Sequence, residues 1–400
     1  MTETANSRQL ARVLIFGGAI VTLSMGIRHS FGLYLQPMSA DLGWGRETFA
    51  FAIAVQNLLW GLAQPFVGMV ADLYGGRRVL MVGAACYIAG LYLMSSAATS
   101  LGLNLSAGLL IGLALAGTTY SVIYGIVGRS VSAEGRSRAM GIVGAAGSLG
   151  QFLMLPFAQS MIDHLGWHLA LMVCAGLVAL IIPSAAPLKT PPLPTGVHQQ
   201  SVREALQEAL KHRGFILLCF SYFVCGFQVV FVGIHLPAYL TDQGLSPSVG
   251  TTCLALIGLL NIFGTYLFGQ WGGRHSQKNL LAVIYFGRAV AITLFIVLPL
   301  SPISAMIFAM VMGFLWLATV PLTNGLIARV FGVQYLAMLG GFSFFSHQIG
   351  AFFGVWLGGK VFDVTGSYSS VWIGCLALGV VAGCLCLPIQ ERPVARLQAA

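Results

Sequence analysis

Twelve apolar runs, each near 20 residues long, follow one another through most of this 400-residue chain. An α-helix rises about 1.5 Å per residue, so roughly 20 such residues cross the hydrocarbon of a bilayer. The runs cover residues 13–38, 47–72, 78–98, 102–129, 137–162 and 166–186, then 214–241, 248–272, 279–300, 302–330, 336–361 and 369–388. Only 8% of the residues are charged, against about 25% in a soluble domain. No alternating segments of about 10 residues stand out, which argues against a barrel. Fifty glycines suit helices packed closely in lipid, where small residues let backbones approach. The expectation is an all-α membrane protein. A cleavable signal peptide is not expected, because the first run is too long and no small-residue cleavage site follows a short apolar core.

The net charge of +9 raises the question of nucleic acid, and its distribution answers it. Arg77, Arg78, Arg129, Arg136, Arg138, Lys211, Arg213, Arg274, Lys278 and Arg329 fall in alternate loops, with further basic residues at both termini. Arg46 and Lys360 fall on the other side, and Arg28 and Arg288 fall inside runs. Loops rich in Lys and Arg stay cytoplasmic, so both termini are expected in the cytoplasm and the number of spans is even. The basic charge is topology, and nucleic acid is not an expected partner. All eight cysteines lie in apolar segments, where thiols behave as small hydrophobes. Cys384-x-Cys386 has no His or carboxylate beside it, so neither a metal nor another cofactor is expected.

One long polar stretch, residues 187–213, divides the chain into halves of six runs each, 1–186 and 214–400. It opens on Pro-Leu-Lys-Thr-Pro-Pro-Leu-Pro, an extended linker composition. It continues with Ser201-Val-Arg-Glu204, a capping box before good helix formers, which predicts a short surface helix. The halves repeat each other. Gly125, Arg129, Gly150, Asp163 and Gly166 recur 200 residues later as Gly325, Arg329, Gly350, Asp363 and Gly366. Two like six-span halves place a small-molecule site near the midplane where they meet, worked by alternating access.

Gly68-Met-Val-Ala-Asp72-Leu-Tyr-Gly75-Gly-Arg77-Arg78 resembles the loop signature of the major facilitator superfamily, G-x-x-x-D-R-x-G-x-R-R, departing from it at Leu73. The second-half copy, Gly269-Gln-Trp-Gly-Gly-Arg274, lacks the aspartate. More narrowly, Arg28-His-Ser-Phe-Gly through Gln36-Pro-Met, with Gly43-Trp44, is similar to the bacterial branch related to monocarboxylate and oxalate/formate transporters. Phe345-Ser-His347-Gln348-Ile-Gly with Gly366-Ser-Tyr368 is similar to it too. The resemblance implies the major facilitator fold, with 12 transmembrane helices in two pseudo-symmetric six-helix bundles. It implies a monomeric carrier of the bacterial inner membrane rather than an enzyme. It also implies that Asp72 gates the cytoplasmic side against the N-terminus of a helix in the other half, with Arg77 and Arg129 nearby.

Arg28 is the leading functional candidate. An arginine at membrane depth costs about 2.5–3.5 kcal/mol on insertion scales and turns toward a bundle interior or a watery cavity. Its planar fork matches a carboxylate; the competing reading is an arginine bonded to backbone carbonyls. Arg288 is buried in the same way, in a third-position span that is peripheral in this fold, and reads as a structural clamp or a second contact. No carboxylate lies mid-span, which favours an anionic cargo over a cationic drug. His29, His235 and His347 are candidates for carrying a coupling proton, with helix–helix bonding as the alternative. Tyr120 and Tyr124 share a face of the fourth run, as Asn57, Trp60 and Gln64 share one of the second. Gln151, Asn261, Asn324 and Gln348 are single amides in apolar surroundings and complete the list of candidate lining groups. The expected function is transport of a small organic anion, monocarboxylate-like, with a proton across the inner membrane. The alternative is export of neutral or anionic toxic compounds.

Overall fold

The computed structural model describes residues 3–44, 46–191 and 200–398. Residues 192–199, within the expected linker, lie outside the described residues. Among the described residues every regular element is helical, as a chain that must satisfy its backbone inside lipid requires. Eleven helical stretches are long and apolar enough to cross a membrane. The longest, Ala133–Ala185, turns at Gly166, whose φ of 77° and ψ of 163° are not helical. Glycine takes that positive φ without a Cβ clash, so this stretch makes two passes and the described residues hold twelve spans. Gly366, its repeat partner, also has positive φ, 66°, directly after the helix Leu336–Thr365.

The chain forms two compact units. The first is Met1–Ser132, Ile142–Val197 and Val333–Gly341. The second is Ala133–Gly141, His198–Gly332 and Phe342–Ala400. Each unit thus holds a nine-residue segment from the other half of the sequence, and the two segments stand 200 residues apart, the same offset as the sequence repeat. In the first unit, Gly68 and Gly125 leave room for Ala337. In the second, Gly141 packs backbone to backbone on Gly269, and Ser137 fills the space over Gly272.

The repeat is visible in the packing within each unit. Gly26 abuts the backbone of Gly150, and Gly226 abuts that of His347 beside Gly350. A methyl group at any of these crossings would overlap a carbonyl oxygen or its carbon, so the helices there pack at backbone contact.

Three spans expected as continuous helices are interrupted. The first runs as a helix from Glu3 to Ser30, tightens into a 3₁₀ turn over Phe31–Tyr34, and resumes over Leu35–Leu42. The fourth breaks at Thr119, which is extended (φ −112°, ψ −164°) between Ile111–Thr118 and Tyr120–Ser130. The tenth breaks between Pro302–Leu315 and Thr319–Phe331. Carbonyls and N–H groups released by a break at membrane depth need partners. In the first unit, Gln64 Nε2 donates to Ala116 O at 2.7 Å. In the second, Arg288 donates to Leu315 O at 2.7 Å and to Trp316 O, and Leu317 N–H donates to Asn261 Oδ1 at 3.0 Å.

The linker helix, Val202–Lys211, carries the expected capping box at Ser201 and Glu204. Its Glu208 pairs with Arg396 at 3.2 Å, and Val394 N–H donates to Val330 O at 3.0 Å. The chain's last described turn is thereby tied to the end of the tenth span and to the linker helix.

Candidate functional site

Arg28 lies in the last turn of the helix Glu3–Ser30, just before the 3₁₀ turn. A cation is favoured there by the carbonyl ends of the helix, so the interruption of the first span helps to hold the guanidinium in place. Arg28 Nη2 donates to Asn57 Oδ1 at 2.8 Å. Asn57 Nδ2 in turn donates to Ile53 O at 3.1 Å, which aims the amide oxygen at the arginine. Phe31 forms one wall, its ring centroid 6.0 Å from the guanidinium carbon. Arg28 Nε is buried and has no hydrogen-bond partner. A guanidinium offers five N–H donors, and such a buried donor left open is the mark of a missing acceptor.

The first unit also holds several of the other candidates. Tyr120 and Tyr124 are one turn apart with ring centroids at 5.6 Å, on the helix that starts after the break. Gln151 has a buried Oε1 without a partner. Trp60 donates to Gln64 Oε1 at 3.0 Å, so that pair of the second-span face serves the break in the fourth span. His29 is bonded through Nδ1 to Met25 O at 2.7 Å, an intrahelical tie.

At the opposite end of the second span the first unit carries a polar latch. Asp72 is 8% exposed and accepts the Met338 N–H on Oδ2 at 2.9 Å. Met338 lies in the first turn of the helix Leu336–Thr365, where free N–H groups and the helix dipole favour a carboxylate. Arg129 bridges the same groups: its Nε donates to Val333 O at 3.2 Å, and its Nη2 to Asp72 Oδ1 at 3.4 Å and to Gln334 O. Arg77 stands exposed in the first turn of the third span.

The second unit treats its arginine differently. Arg288 is fully buried and its donors are occupied. Besides Leu315 O and Trp316 O, it reaches Gln228 Oε1 and Cys225 Sγ, each at 3.4 Å. It therefore caps the break in the tenth span, and its geometry is that of the clamp reading. Gln228, placed 200 residues after Arg28, holds Cys375 O at 2.8 Å. His235, expected on the same face as Gln228, instead bonds Val355 O at 3.0 Å. Asn261 serves Leu317 and Thr265. Asn324 donates to Val320 O at 3.0 Å, leaving a buried Oδ1 unpartnered. His347 donates through Nδ1 to Gln348 Oε1 at 3.3 Å, and its buried Nε2 has no partner.

The candidates thus separate into an arginine with an open donor in the first unit, a latch on the same unit, and a saturated arginine in the second. Sequence reasoning missed Cys225 and Thr319, whose side chains meet at 3.3 Å. The signal available was that Cys225 precedes Gln228 by one helical turn.

Residues 14–355 match the family described as the Major Facilitator Superfamily. An uncharacterized MFS-type transporter of Bacillus subtilis, YcxA, is 24% identical, with 96% of each chain covered. Monocarboxylate transporter 12 of Rattus norvegicus is 25% identical over 82% of this chain and 74% of its own. The oxalate:formate antiporter of Oxalobacter formigenes is 23% identical over 96% and 93%. Among solved structures, the E. coli fucose:proton symporter FucP superposes with a TM-score of 0.75 at 14% identity, covering 93% of this chain and 97% of that one. The human organic anion transporter TETRAN does so with 0.68 at 16% identity, covering 95% and 99%.

Proposed function

The chain belongs to the Major Facilitator Superfamily, and from that premise we propose that it carries a small organic anion, a monocarboxylate by class, across the bacterial inner membrane together with a proton. The observation that carries this reading is the open Nε donor of Arg28, buried beside Phe31 and held on its other side by Asn57. A carboxylate supplies the missing acceptor and the opposite charge in one group, through charge-assisted hydrogen bonds. Among the described residues, Asp72 is the one buried acid, and its oxygens are engaged in the latch. Among the described residues no carboxylate therefore competes for Arg28. The relatives named as monocarboxylate and oxalate:formate carriers support the same substrate class.

Transport then follows by alternating access, the Asp72–Arg129 latch engaging and releasing the segment 333–341 once per cycle. The distribution of Lys and Arg supports a topology with both termini in the cytoplasm. Of the three histidines expected to carry a proton, His29 and His235 are tied to backbone carbonyls. His347, with its buried open Nε2, is the member free to exchange one.

Thermal unfolding of the purified protein against monocarboxylates, dicarboxylates, aromatic acids and neutral drugs tests the reading, with Arg28→Ala alongside. Ligands that bind the native state raise the melting point by mass action. The expected result is a shift with monocarboxylates that disappears in Arg28→Ala. A shift with neutral or cationic compounds alone, or one untouched by the substitution, would replace this reading with export of toxic compounds.

A further inference from the structure

Proton-coupled carriage of an anion needs a group that binds and releases the proton, and this chain offers no carboxylate at mid-span to do it. The second unit gathers a different set there. Cys225 is fully buried in the middle of the seventh span. Arg288 Nη1, from the ninth span, donates to its Sγ at 3.4 Å. Thr319 Oγ1, the first residue after the break in the tenth span, lies 3.3 Å from the same sulfur. His347, from the eleventh span, packs its carbonyl on Gly226, the next residue to Cys225. His347 is 6% exposed, its side chain interacts with the thiol, and its Nε2 is unpartnered.

The charge balance of this cluster is incomplete as drawn. A guanidinium buried without a counter-ion is costly. Among the described residues none of the acceptors of Arg288 is a carboxylate: they are two carbonyls, an amide and the thiol. Of these only the thiol can ionise. The titratable groups facing Cys225 from the elements packed on it are Arg288 and Tyr285 of the ninth span and His347 of the eleventh, and Tyr222, on its own helix, packs near His347. Of these Arg288, whose guanidinium donates to the sulfur, favours an anion there. Among the described residues Cys174 meets a tyrosine hydroxyl and Cys386 the Ser221 hydroxyl, whereas Cys225 meets a guanidinium.

We propose that Cys225 is the proton-carrying group of this transporter, its thiolate held by Arg288 and Thr319 and its proton exchanged through His347. In one direction the S–H bond breaks, the electron pair stays on sulfur, and the proton passes to Nε2 of the neutral imidazole and on to water. In the other, the imidazole takes a proton from water and returns it to sulfur. Sulfur, Arg288 and His347 end each cycle as they began, and one proton has crossed with one carboxylate. The role rests on the proton-coupled anion reading above.

Two measurements on the full-length protein test it, and the first needs no substrate. Thiolate absorbance near the ultraviolet edge is recorded in detergent as a difference between wild type and Cys225→Ser. A thiolate band at neutral pH that vanishes in Arg288→Met is expected; a difference spectrum without a band up to alkaline pH overturns the proposal. The second uses proteoliposomes with labelled lactate, pyruvate or formate. Cys225→Ser should retain counterflow exchange but lose at least tenfold in accumulation driven by a pH gradient. Cys225→Asp, which restores an ionisable group beside Arg288, should regain it. Undiminished pH-driven accumulation in Cys225→Ser, or no recovery with aspartate in a variant that still exchanges, overturns the proposal and leaves the anion reading standing. If wild type moves none of the three acids, the anion reading falls and the coupling role with it, while the absorbance band reports separately on the thiolate.

Discussion

Arg28 and Arg288 are the same residue type, each within an apolar span, and their surroundings send them to different work. Arg288 Nη2 satisfies the carbonyls of Leu315 and Trp316, so its removal leaves buried acceptors unpaired at about 1–3 kcal/mol each. Arg288→Met should therefore lower the melting point by several degrees, read by intrinsic fluorescence in detergent. Asn57 bonds Arg28 without closing any backbone break. Asn57→Ala should leave the melting point nearly unchanged and weaken carboxylate binding roughly tenfold, the equivalent of about 1.4 kcal/mol, measured by calorimetry. A third residue, His212, stands outside the spans. Burial pushes its pKa below the ordinary imidazole value, opposed by Glu208, and its Nδ1 is buried without a partner against Phe331. It is neutral in the folded state at pH 7, so the unfolded chain binds the extra proton as pH falls through about 6.5. Stability contributed by neutral His212 is complete above that pH and is lost below it. The melting point should fall between pH 7.5 and pH 5.5, and His212→Phe should flatten that slope; an unchanged slope would assign it to other groups.

The helices were legible in the sequence because a run of apolar residues near 20 long has few alternatives in lipid. The capping box at Ser201 was legible because it is local. The breaks at Phe31, Thr119 and Trp316 were not, since what makes them tolerable comes from other spans: Gln64, Asn261 and Arg288. For the same reason Arg28 could be singled out as a candidate while its partner Asn57 stayed one amide among several. His235 illustrates the converse. Seven residues from Gln228 does place both on one stripe, yet crossing helices divide that stripe between Val355 and Cys375. At this scale the glycines make a sharp comparison. A Cβ at Gly226 meets the His347 carbonyl oxygen, whereas one at Gly176 meets nothing within 4 Å. Gly226→Ala should destabilise by about 1–3 kcal/mol or more through overpacking. Gly176→Ala should be neutral or stabilise by up to about 1 kcal/mol through helix propensity. Parallel thermal melts of the two variants would check this, and equal melting points would show that the crossing yields more easily than its backbone contact suggests.

For the molecule as a whole, the latch residues Asp72 and Arg129 hold a segment more than 200 residues away in sequence. Asp72→Asn removes the charge from the bond to the Met338 N–H, so the amide of Met338 should exchange with deuterium measurably faster. Amides in the middle of the third span should keep their protection. Equal exchange in variant and wild type would mean that Arg129 alone holds the segment. The same exchange of nine-residue segments between repeat positions has a consequence for how the protein is made. Ribosomes add about 5–20 residues per second, so the roughly 135 residues between Val197 and Val333 take about 7–27 s to appear. Throughout that interval the first unit has reached the membrane without the piece that completes it. Synthesis order thus leaves Asp72 and Arg129 waiting at an open slot, and a nascent chain stalled at residue 332 should be the form of this protein most exposed to the cell's membrane proteases.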